Sequence, residues 1–125
     1  SKKRDWIKTD FVNAAIWMLT IDTYKTIGGF SKNFFHYGED KYFAHRLINI
    51  GGYFKVLLSE TAIHYRNMNR SEATNIYNIR ATVTYTKLTQ GRSRALLYTL
   101  GVTYNNGQTR LGILELVKLF VLALK

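Results

Sequence analysis

A chain of 125 residues suits one domain with a modest core, and a composition 46% hydrophobic and 21% charged excludes a disordered tail. There is no cysteine, which excludes a disulfide framework and a thiolate metal site, and there is no proline. The net charge of +10 is uneven: residues 1 to 63 carry nine Lys/Arg against six Asp/Glu, residues 64 to 125 nine against two, and a basic half of this kind points to an anionic partner.

Lys2, Lys3 and Arg4 are not followed by an unbroken apolar segment, so no signal peptide is legible. Phe11 to Thr20 (FVNAAIWMLT) is a short apolar run and reads as a buried strand. Ile21 to Ile27 follows as a short helix, with Asp22 near its start and Gly28-Gly29 as its stop. Phe30 to Gly38 is an aromatic loop. Glu39 to Ile50 is the clearest helix of this half, with acids in its first turn, an apolar stripe of Phe43, Leu47 and Ile50, and Gly51-Gly52 at its end. Tyr53 to Tyr65 reads as extended, two short strands around Ser59-Glu60.

From Ser71 the pattern turns helical. One helix runs to about Gln90, where Gly91 breaks it, and a second covers Ser93 to about Tyr104. Asn105-Asn106-Gly107 is a turn, and Thr109 to Lys125 makes a third helix that is apolar on nearly every face. That helix is too short and too charged for a membrane span, which needs about 20 apolar residues, and reads as packed or as lying on a membrane surface. The chain starts at Ser1 and the helical pattern runs through to Lys125, so both ends read as cut from a longer protein.

Taken one by one, the polar and aromatic residues of the first half have structural explanations. Glu39 and Asp40 suit a helix N-terminus, where the dipole favours negative charge. Phe34, Phe35 and Tyr37 suit a core. Their order carries more. Val12-Asn13-Ala14-Ala15, Gly28-Gly29-Phe30, Phe34-Phe35-His36-Tyr37-Gly38-Glu39-Asp40, Arg46-Leu47, Gly52-Tyr53 and His64 together resemble the second half of family 2 glycosyltransferases of the GT-A fold, in particular the rhamnosyl- and galactofuranosyl-transferase-like members. The resemblance covers roughly residues 5 to 75. It departs at Tyr42, where many relatives carry a further acid, and at Ser31-Lys32, where Asp-Glu is common.

The resemblance implies an α/β fold: residues 1 to 70 as the C-terminal, acceptor-side part of a GT-A nucleotide-diphospho-sugar transferase domain, and 71 to 125 as a basic helical extension of two or three helices. It makes Asp40 the general base of an inverting sugar transfer, with Glu39, Phe35, Tyr37 and Asn13 on the acceptor. Arg66 and Arg70 would meet the donor diphosphate, and His64 would be a ligand of a divalent metal, Mn²⁺ in preference to Mg²⁺. The partners implied are a nucleotide-sugar donor and a glycan or lipid-linked acceptor of a bacterial envelope polysaccharide. The setting is the cytoplasmic face of the membrane, with peripheral membrane contact through the basic half and self-association along exposed sheet edges. No Asp-x-Asp motif and no Gly-rich phosphate loop occur in the 125 residues, so the chain by itself is expected to be inactive. The alternative is a non-catalytic basic module for nucleic acid or anionic membrane, with Arg80, Lys87, Arg92 and Arg94 as phosphate contacts. The absence of any helix-turn-helix or zinc pattern disfavours nucleic acid.

Overall fold

A computed structural model describes residues 5–65, 72–105 and 111–125, with the side chains of 72–74 left aside. Its elements are β1 (Trp6–Thr9), α1 (Ile21–Ile27), α2 (Glu39–Asn49), β2 (Phe54–Leu57), α3 (Glu72–Gln90), α4 (Arg92–Tyr104) and α5 (Ile113–Leu124). The fold is mixed α/β and mostly helical. The described residues separate into two compact units, 5–31 with 39–65 and 32–38 with 72–105 and 111–125.

The first unit packs α1 and α2 with a two-stranded antiparallel sheet. β1 and β2 pair with Trp6 opposite Leu57 and Lys8 opposite Lys55. Two lysines facing each other repel, and each rests on an aromatic ring instead: Lys55 lies 4.5 Å from the Trp6 centroid and Lys8 4.6 Å from that of Tyr53. Ile27, Phe43 and Leu47 form the core, with Trp17 and Phe54 packed on it. Trp17 lies 4.8 Å from Phe54 and 5.6 Å from Phe43 between ring centroids.

Helix α1 begins as its sequence requires. The Thr20 hydroxyl accepts from the Thr23 N–H at 3.1 Å, an N-cap bond. Its end is a left-handed turn: Gly28 (φ 81°) and Gly29 (φ 66°) return their N–H groups to the carbonyls of Lys25 and Tyr24.

The second unit is a bundle of α3, α4 and α5 around Ile79, Val83, Ala95, Leu111, Leu119 and Ala123. Threonines are tolerated inside these helices because their hydroxyls bond back one turn. Thr82 donates to Asn78, Thr89 to Tyr85, and the fully buried Thr99 to Ala95. Gly91 (φ 94°) makes the turn between α3 and α4.

Four readings of the sequence are corrected here. Phe11 to Thr20 is not a buried strand. The Ala15 N–H bonds to the Asn13 carbonyl at 2.8 Å, a turn that breaks the run at its small residues. No strand lies beside it among the described residues, and only Trp17 enters the core, while Met18 is 95% exposed. The extended stretch from Tyr53 forms a strand only over Phe54–Leu57, opposite β1; the Leu58 N–H still donates to the Asp5 carbonyl at 2.7 Å, and residues 59–65 are exposed and belong to no described strand. Ile50 lies beyond the end of α2 and is exposed, so the buried stripe is Phe43, Ala44 and Leu47. The last helix begins at Ile113, and residues 106–110 of the predicted turn and helix start lie outside the described residues.

Candidate functional site

Many of the signature residues have a mechanical role inside the first unit. An Arg46 guanidinium N–H donates to the Gly29 carbonyl, tying the middle of α2 to the turn after α1. A Cβ on Gly29 would fall 2.8 Å from the Tyr24 ring, and one on Gly52 would overlap the Leu47 side chain. Phe30 packs tilted against Phe43, with ring centroids 5.1 Å apart. Gly-Gly-Phe, Arg-Leu and Gly-Tyr therefore belong together because their side chains and missing side chains fit one another.

The stretch from Phe34 to Asp40 is different. Tyr37 (φ 65°) is the only described non-glycine residue in the left-handed region, and Gly38 (φ 84°) follows it. A side chain there costs about 1–2 kcal/mol, and such strain gathers at working sites. Gly38 is required as well, since a Cβ would meet Phe34 at 3.0 Å and Ala81 at 3.1 Å. The chain then enters α2 with Glu39 and Asp40 in the first turn. Asp40 is half-buried, and its Oδ1 accepts from the Lys41 N–H at 2.7 Å. Glu39 Oε2 is buried and, among the described residues, has no hydrogen-bond partner, a state that buried polar atoms rarely keep.

Phe35 and Tyr37 lie in the second unit, on a cavity of about 340 Å³ whose far wall is the α3 face of Tyr77, Arg80 and Thr84. Phe35 is 90% exposed and its ring centroid is 6.0 Å from that of Tyr77. His36 lies 4.1 Å from Tyr37 and edge-on to Tyr77 at 5.9 Å. Flat apolar faces with a few polar groups suit a ligand that is apolar on one side and hydroxylated on the other.

Arg80 is held by Glu115 at 2.8 Å, and Lys118 bonds the same carboxylate at 2.7 Å. The Lys118 hydrogen bond holds the Glu115 carboxyl below its ordinary range; desolvation opposes this and the Arg80 charge adds to it. Tyr77 and the lining role of Arg80 were missed in the sequence. The helical spacing 77, 80, 81, 84 was the available signal, but nothing local told which side that face looks to.

Asn13 sits exposed at the turn that breaks residues 11–20, and His64 is exposed in the stretch after β2. Arg66 and Arg70 lie outside the described residues. No three His, Cys, Asp or Glu side chains gather to hold a metal ion among the described residues. By the resemblance, His64 would be this chain's ligand to such a metal.

The four cations offered as phosphate contacts are all engaged internally. Besides Arg80, Lys87 donates to the Leu122 carbonyl at 3.0 Å, Arg92 to that of Lys125 at 3.1 Å, and Arg94 to Gln90 at 3.3 Å. Lys87 and Arg92 thus cap the C-terminal carbonyls of α5. No helix among the described residues is long and apolar enough to cross a membrane. No family model matches the chain, and no curated protein or solved structure is significantly similar to it.

Proposed function

We propose that the chain is the acceptor-side part of an inverting glycosyltransferase of the GT-A fold, with Asp40 as general base. The observation that carries this reading is the first turn of α2. It places a half-buried carboxylate, Asp40, beside a buried Glu39 oxygen that has no partner among the described residues, directly after a left-handed Tyr37-Gly38. Glu39 Oε2 is then the acceptor for an incoming hydroxyl. Asp40 takes the proton of the reacting hydroxyl as its oxygen attacks the anomeric carbon and the bond to the nucleotide diphosphate breaks. The carboxylate becomes an effective base as the hydroxyl acidifies in the transition state.

Donor binding is assigned to residues outside these 125, which hold no Asp-x-Asp motif. Arg66, Arg70 and His64 would meet the diphosphate side, and the cytoplasmic membrane face is the proposed workplace. The test is nucleotide release from a panel of sugar nucleotides by the natural gene product that carries this chain. Release that requires a glycan acceptor supports the reading; no release from any donor, with or without Mn²⁺, counts against it.

A further inference from the structure

Helix α5 packs one face on α3 and α4, through Leu119 and Ala123, and leaves the opposite face without cover. Ile113, Leu114, Val117, Val121 and Leu124 are between 42% and 83% exposed. At 3.6 residues per turn they fall within about 100° of arc, a continuous aliphatic stripe. Such stripes on a free surface mark a docking face.

The charges around the stripe identify its partner. Lys118 and Lys125 are exposed and lie on the same edge, seven residues apart, and Arg92 reaches the Lys125 carbonyl at its end. The only acid of α5, Glu115, lies toward the packed side, bound to Arg80 and Lys118. Residues 72–125 carry seven Lys/Arg against two Glu. A second copy of the chain would bring like charge to like charge. We infer that the stripe seats the helical unit in the plane of an anionic lipid surface, with the exposed Lys118 and Lys125 at the headgroups. The packed opposite face means that α5 lies on the bilayer and does not thread it.

The test is co-sedimentation of the 125-residue chain with phosphatidylcholine vesicles, alone or with roughly a third phosphatidylglycerol. The chain should pellet with the anionic vesicles, and release on raising salt from about 0.1 M to about 0.5 M should be substantial. Val117→Asp with Val121→Asp should weaken binding about tenfold or more, with the helical circular dichroism retained because both sites are exposed. Lys118→Glu with Lys125→Glu should remove the preference for anionic vesicles. Absence of binding to anionic vesicles, or equal binding by the double aspartate variant, overturns the inference. So does a concentration-dependent dimer in sedimentation velocity that the aspartates abolish, which would make a second copy the occupant.

Discussion

Arg46 donates to the carbonyl of Gly29, and that bond closes α2 onto the left-handed turn after α1. Its Nε is buried without a partner among the described residues, so the guanidinium is held by few bonds in a costly place. Arg46→Ala should lower stability by about 1–3 kcal/mol in urea unfolding. Arg46→Lys should not restore it fully, because an ammonium lacks the planar fork. Gly52→Ala should cost a similar ~1–3 kcal/mol by overpacking against Leu47, with no contribution from positive φ. At Gly38 both terms act: the Gly38→Ala methyl meets Phe34 and Ala81 at a φ of 84°, so its loss should be the larger. These residues were legible as a signature before their mechanics were, because order along the chain is visible and complementarity between distant side chains is not.

At the scale of the element, α5 has one buried and one bare face. Leu119→Ala should destabilise by about 2–5 kcal/mol, whereas Val117→Ala should stay within about 0.5 kcal/mol, a contrast that thermal unfolding of both variants measures. The Arg80–Glu115–Lys118 cluster joins α5 to α3 and is titratable. The Glu115 carboxyl is lowered from 4.5, so its contribution is fully present above that value and is lost as pH falls through the lowered one. Glu115→Gln should therefore cost up to about 1 kcal/mol near neutral pH and little in strong acid, as pH-dependent denaturation would show.

The bounds of α1 to α4 could be read because caps, first-turn acids and glycine stops are local signals. Residues 11–20 could not, since an apolar run becomes a strand only when a neighbour completes its ladder, and here the chain turns at Asn13 to Ala15. β1 escaped notice because four residues holding an exposed lysine show little apolar alternation; its support comes from Tyr53 and Lys55 of distant sequence.

Over the whole molecule, chemistry and charge are divided. The first unit holds the acidic turn of Glu39 and Asp40, and the second holds the aromatic cavity, the basic surplus and the bare stripe of α5. The acidic turn and the aromatic loop stood out in the sequence by their spacing, while the α3 wall of the cavity did not, because only folding brings Tyr77 and Arg80 to Phe35. The proposal of sugar transfer rests on Asp40 more than on any other side chain. The most direct measurement is donor turnover by the natural gene product, wild type against Asp40→Asn, together with donor binding by both. A fall in kcat of about 10²–10⁴-fold with donor affinity retained is the result predicted for loss of a general base. Undiminished turnover in the variant would contradict it and leave Glu39 and Asp40 as first-turn acids of α2.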